Sequence, residues 1–328
     1  MIGGNLVRVD GGGDLTRLPW LGTYRLSKIE NQFLADGLRY FQVFTDGQFP
    51  RDVARQSLLA QITADKVLAQ AAPGLARLIE KARGDLVDCV YVTNLPTEKS
   101  INSLLSLTLG SSIGKVFNYG SQSGGRLVMK VTSEQSETEE QSAEFDWHTE
   151  GAWITRERRT EWICLLGVED TPGSYTAYAP IKPVEQTLSS RAKVWLYGQS
   201  VCFRSPRSAV SNGSTWSEPR AVLSKSPLGH TEIVWPGNTV CAAKSDDPIY
   251  ADALTQLSVE IDRQHVRVSV DAGCFLAFNN LRGVHRQTLA GDGYRLFYKI
   301  YIRHSLRALQ QTGEPGPIFS FAEAHASC

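Results

Sequence analysis

The spacing of apolar positions changes about a third of the way along the chain. Over residues 50–81, Val53, Leu58, Leu59, Ile62, Val67, Leu68, Leu75, Leu78 and Ile79 recur at steps of three and four. That is the period of an amphipathic helix. Pro73 and Gly74 interrupt the run and predict two helices there. A short strand is predicted over residues 88–93 (DCVYVT), and Pro96, Thr97 and Glu98 then open a helix that runs through Leu109. From about residue 126 the runs become short and β-rich: RLVMKV, EWICLLGV, AKVWLYG, TEIVW, VRVSV, CFLAF and YRLFYKIYI. Turn clusters such as DTPG at 170–173 and PGN at 236–238 separate them, the signature of a sandwich or barrel. One amphipathic helix interrupts the series, with Ser245 as its N-cap, Asp246 and Asp247 in its first turn, and an end near Arg263. The expected organisation is mainly β with flanking helices. A helical part covers about residues 1–120 and a β core covers about 121–310.

Composition narrows the function classes. The chain has 328 residues with 34 Lys+Arg against 34 Asp+Glu, a formal net charge of zero. Such a balance argues against a nucleic-acid binder that neutralises many phosphates, and against a polybasic membrane surface. The longest apolar runs, such as residues 162–168, fall far short of the roughly 20 residues that span a bilayer. No apolar stretch of signal-peptide type occurs in the first 19 residues, and six cysteines stand singly with no CxxC pair. Reduced thiols in a cytoplasmic protein are the expectation. A chain this long buries a large core without disulfides or structural metal. The one biased segment, SEQSETEEQSAE at 133–144, is too polar to bury itself and is expected to be a loop, either a lid or simply solvated.

Three motifs could carry chemistry. The first is His148–Thr149–Glu150, read as strand residues two apart whose imidazole and carboxylate share a face. With one distant histidine this pair makes a 2-His-1-carboxylate triad, the ligand set of non-haem Fe(II) oxygenases. A second HTE at 230–232 shows that the tripeptide also arises by accident. The partner imidazole is expected from a late strand, and His285 in GVHRQT follows CFLAF and the turn-like Asn279–Asn280. The chain between 148 and 285 is long enough for several strands to wrap a site. Between 230 and 285 it is short, and part goes to a helix. The first HTE is therefore the metal candidate, and the second is read as strand surface.

The second motif is YRLFYKIYIR at 294–303, whose alternation places Arg295, Phe297, Lys299, Tyr301 and Arg303 on one face. Guanidinium forks suit bidentate binding of a carboxylate, although a solvated cationic face is the competing reading. The third is Gly110–Ser111–Ser112–Ile113–Gly114, a match to the GxSxG nucleophile elbow. The residues before it look helical, with no strand to present a nucleophile. A Gly/Ser turn after a helix is the better account.

With the first two motifs in this order, the sequence resembles the clavaminate synthase-like Fe(II)/2-oxoglutarate oxygenases, in the branch of arginine, asparagine and lysine hydroxylases of peptide natural-product pathways. The matching segments are WHTEGAW with EWICLLGV, then FNNLRGVHRQ, then YRLFYKIYIR. The resemblance implies a double-stranded β-helix (jelly roll) in one oxygenase domain, with Fe(II), 2-oxoglutarate as cosubstrate, and O₂. It implies His148, Glu150 and His285 as iron ligands, with Arg295 and Thr176 on the far carboxylate of 2-oxoglutarate. Lys299, Gln122 and Glu150 would face the substrate. Lys299 stands where family members usually have Arg, which keeps the charge and loses the fork. The implied activity is hydroxylation of a free L-amino acid, lysine or arginine-like, at its β or γ carbon, in secondary metabolism such as antibiotic biosynthesis. A carrier- or peptide-bound amino acid, desaturation or cyclisation, and a non-enzymatic jelly-roll binding protein are the alternatives. The acidic grip on a guanidinium found in the arginine hydroxylases has no clear match around residues 240–244, which read VCAAK.

Overall fold

The computed structural model describes residues 18–43, 52–120, 125–132, 145–169, 175–205, 216–235, 240–242, 248–288, 296–311 and 316–319. Its strands are β1 Leu21–Arg25, β2 Cys89–Thr93, β3 Lys115–Tyr119, β4 Met129–Thr132, β5 Phe145–His148, β6 Trp162–Gly167, β7 Tyr175–Pro180 and β8 Ser200–Phe203. They continue with β9 Arg220–Ala221, β10 Leu223–Lys225, β11 Thr231–Ile233, β12 Val240–Ala242, β13 Val266–Val268, β14 Phe275–Asn279, β15 Gly283–Thr288, β16 Leu296–Arg303 and β17 Ile318–Phe319.

A large sheet runs in the order β1-β2-β14-β6-β16-β3-β17, and β4 pairs with the first half of β16. A smaller antiparallel sheet runs β13-β7-β15-β5. Strand alternation divides the core in two. Val90, Val92, Trp162, Cys164, Leu166, Phe275, Ala277, Ile300 and Ile302 point to one side of the large sheet and pack with the N-terminal helices. Tyr91, Ile163, Leu165, Leu276, Phe278, Phe297 and Tyr301 point to the other side, where they meet Tyr178, Val268 and Val284 of the small sheet. Helices 181–187, 190–198 and 248–264 share that second core through Val184, Trp195, Leu257 and Ile261. The layers are helices, large sheet, small sheet and helices.

The N-terminal helices are α1 Lys28–Val43, α2 Val53–Thr63, α3 Ala69–Ala71, α4 Pro73–Arg83 and α5 Asn102–Ile113, with a π turn at Ala64–Leu68 leading into α3. The break at Pro73 is as expected, with Pro73 at the start of α4. The N-terminal part is not purely helical, since β1, β2 and β3 supply one edge and one flank of the large sheet.

Three expectations need correction. Residues 192–198 (AKVWLYG) are not a strand but lie in the helix Ser190–Gly198, whose N-cap Ser189 accepts from the Ala192 N–H at 3.2 Å. Ala192, Trp195 and Leu196 are the buried residues there, a helical spacing that a short apolar run does not separate from a strand. The helix expected from residue 96 begins at Asn102. Glu98 is held instead by Arg39, and the Leu95 N–H bonds the Gly273 carbonyl, which pins the approach. The GSSI of the elbow-like motif is the last turn of α5 rather than a turn after it. Gly110 is there for close packing, because a Cβ would lie 2.3 Å from Ile300 Cδ1. Ser245 and its first-turn acids, and the acidic segment 133–144, lie outside the described residues.

Candidate metal centre

His148 ends β5 directly opposite His285 on β15, and their rings face the large sheet with centroids 4.2 Å apart. Phe278 of the large sheet packs on His285 at 4.7 Å between centroids. Glu150 does not reach the site along a strand, as the two-residue spacing suggests. The strand stops at His148, and a turn carries the carboxylate round. Thr149 anchors that turn through its Oγ1, which donates to the Trp235 carbonyl at 3.2 Å and accepts from its N–H at 3.0 Å. Gly151 follows with φ +68°, a left-handed conformation that glycine adopts at little cost. The buried Asn280 fastens both sides of the Glu150 peptide group. Its Oδ1 accepts from Glu150 N–H at 2.7 Å, and its Nδ2 donates to the Glu150 and Thr160 carbonyls at 3.0 and 3.1 Å.

One ligand atom from each of His148, Glu150 and His285 lies within 4.8 Å of the others. Two imidazoles and a carboxylate form a donor set suited to a divalent first-row metal with positions left open. His148 Nδ1 sits 2.8 Å from the Asp146 carbonyl, so Nδ1 carries the proton and Nε2 keeps its lone pair for a ligand. His285 is 2% exposed, and among the described residues its Nδ1 has no hydrogen-bond partner. A buried imidazole with an unsatisfied nitrogen fits a ring built to receive a metal. Burial pushes both histidines down, His285 well below the usual range, helped by the neighbouring His148 and Lys299. Both rings are thus held neutral, as ligation requires. Burial alone would raise the Glu150 carboxyl. The Lys299 charge, the adjacent His148 and hydrogen bonds from Lys299 and Tyr301 outweigh it and hold the group below the usual carboxylate range.

The other candidates fall in different places. Lys299 Nζ sits 2.5 Å from Glu150 Oε2, on the face of β16 that looks toward the small sheet. Thr176 is buried on β7 opposite Gln287, one row along from the Tyr178–His285 pair and on the same face of the sheet. Arg295 and Gln122 lie outside the described residues. The second HTE is not strand surface. Glu232 is 3% exposed, and Arg156 grips its two oxygens at 2.5 Å each, so this carboxylate is spent on a structural pair. Sequence reading missed Asn280 and Tyr301 as partners of Glu150. The available signal was a second asparagine just after an apolar strand, where a buried amide needs backbone partners.

No protein-family model and no curated protein matches the chain. Solved structures do. Asparagine oxygenase in complex with Fe(II), 3-hydroxyasparagine and succinate superposes with a TM-score of 0.77 at 18% identity, covering 92% of this chain and 98% of that one. The non-heme iron oxygenase OrfP, in complex with Fe, succinate and hydroxy-L-Arg, gives 0.76 at 15% identity over 90% and 98%. The chain has the fold of these iron oxygenases. OrfP also occurs in complex with Fe and L-homoarginine, at a TM-score of 0.73 and 16% identity over 90% and 98%. Among the described residues no helix is long and apolar enough to cross a membrane.

Proposed function

We propose that the protein is an Fe(II)/2-oxoglutarate-dependent oxygenase that hydroxylates a free L-amino acid, lysine or arginine-like, at its β or γ carbon. The observation that carries this reading is the His148, Glu150 and His285 cluster between the two sheets, in a fold whose solved neighbours hold iron and succinate. The facing sheets are read as a double-stranded β-helix within one oxygenase domain. Secondary metabolism and a cytoplasmic setting belong to the same proposal.

Bound iron would supply O₂ activation coupled to oxidative decarboxylation of 2-oxoglutarate, with succinate and CO₂ as coproducts. The chain supplies placement. His148, Glu150 and His285 give three donors and leave positions for cosubstrate and O₂. Phe278, Phe297 and Leu165 on the facing sheet are buried and exclude water from the inter-sheet space. Arg295 and Thr176 are assigned to the far carboxylate of 2-oxoglutarate. Lys299, Gln122 and Glu150 are assigned to the amino acid. An ammonium has three N–H donors, so the Glu150 contact leaves Lys299 able to meet a substrate carboxylate as a point charge.

The deciding experiment is succinate release from 2-oxoglutarate in the presence of Fe(II), screened across free amino acids. A small polar or cationic amino acid is expected to stimulate it, and its methyl ester is expected to be poor. If no free amino acid stimulates release, the free-substrate reading falls and a carrier- or peptide-bound substrate replaces it. Arg295→Ala is expected to raise the 2-oxoglutarate KM several hundredfold while metal binding stays nearly intact. Loss of one partner of a buried charge pair costs about 3–5 kcal/mol. A rise below tenfold would remove Arg295 from the cosubstrate site.

A further inference from the structure

The geometry points to Lys299 and Tyr301 as a pair of positioning residues that fix the orientation of the Glu150 carboxylate toward the metal. This inference rests on the metal-centre reading above and adds a role for the facing strand. Lys299 and Tyr301 are two apart on β16, so they share the face that looks across to the small sheet. Glu150 arrives from a turn 149 positions earlier in the chain, and Lys299 Nζ meets its Oε2 at 2.5 Å. The Tyr301 hydroxyl hydrogen-bonds the same carboxylate. The ammonium also lies 5.0 Å from the centroid of the Tyr301 ring, so the two holding groups fix one another. The side chains of the ion pair are only 16% and 14% exposed, which limits screening by salt.

A carboxylate without such partners rotates freely and can chelate a metal through both oxygens. With the Lys299 ammonium on Oε2 and the Tyr301 hydroxyl on the same carboxylate, Glu150 is held in one orientation beside the two imidazoles, which favours a single metal bond and leaves a further position open for cosubstrate. The alternative is that Lys299 is merely a neighbouring cation. The two roles differ in sign. A bystander cation repels a divalent metal, so its removal would tighten binding. A positioning residue does the opposite, because loss of an outer partner of a metal ligand weakens binding.

The test is Mn(II) affinity of the full chain, measured by the electron paramagnetic resonance signal of free Mn(II), for wild type and for Lys299→Met, Lys299→Arg, Tyr301→Phe and His148→Ala. Lys299→Met is expected to weaken Mn(II) binding by about 10–100-fold, the usual cost of losing an outer-shell partner. Tyr301→Phe should weaken it in the same direction, and Lys299→Arg, which keeps the charge and its donors, should restore most of the affinity. Unchanged or tighter binding in Lys299→Met overturns the positioning role. If Lys299→Met does not fold, as judged by thermal melting, Tyr301→Phe carries the same decision. His148→Ala separates the two levels of the reading. Should it also retain Mn(II), the metal centre itself is wrong rather than its positioning.

Discussion

His148→Ala and His285→Ala are each expected to abolish divalent-metal binding and turnover together, whereas His230→Ala leaves both intact. Each removed imidazole takes one of three donors from a cluster whose atoms lie within 4.8 Å of one another. The loss should exceed the roughly 10–100-fold that removal of an outer partner costs a metal site. Neither substitution leaves a buried charge unpaired, because Glu150 keeps Lys299 and Tyr301 as its partners. Melting temperatures of the metal-free variants should therefore stay close to wild type while metal-induced stabilisation disappears. His230 heads the tripeptide whose glutamate is bound by Arg156, away from this cluster. Isothermal titration with Mn(II) and succinate release measure the two halves of the expectation. Turnover surviving in His148→Ala, with loss in His230→Ala, would move the site to the other tripeptide.

Asn280→Ala is expected to destabilise the protein and to loosen the turn that carries Glu150. The side chain is fully buried, and its amide serves one N–H and two carbonyls on the segment from Glu150 to Thr160. Truncation leaves those backbone groups without their partner, at about 1–3 kcal/mol each when water cannot reach them. Allowing for partial rescue by an entering water, a net loss of roughly 2–4 kcal/mol follows. In a chain of this size that corresponds to a melting temperature lower by about 3–6 °C. The same variant should bind Mn(II) more weakly, because the turn that carries Glu150 loses its fastening. A melting temperature within 1 °C of wild type, about 0.7 kcal/mol or less, would show that the turn is held by Thr149 and Gly151 alone.

Local chemistry was enough to locate much of this protein along its sequence. Short, continuous apolar runs such as EWICLLGV and CFLAF announced strands because a sheet buried on both faces needs apolar side chains at every position. Pro73 announced a helix start because its missing N–H costs nothing there. That the two histidines and the glutamate come together was legible from ligand type and chain separation. Pairing across space was not legible. Nothing local says that β5 stops at His148, that a turn held by Asn280 delivers Glu150, or that β16 places Lys299 and Tyr301 on that carboxylate. The short run AKVWLYG read as a strand because seven apolar-rich residues satisfy either period, and only packing beside the helix Pro248–Gln264 decides for the helix. Likewise, two identical tripeptides have identical local propensities. Only the tertiary structure sets the carboxylate of Glu150 beside two imidazoles and that of Glu232 against Arg156, because long-range contacts, not neighbours in sequence, determine which partner each buried charge meets.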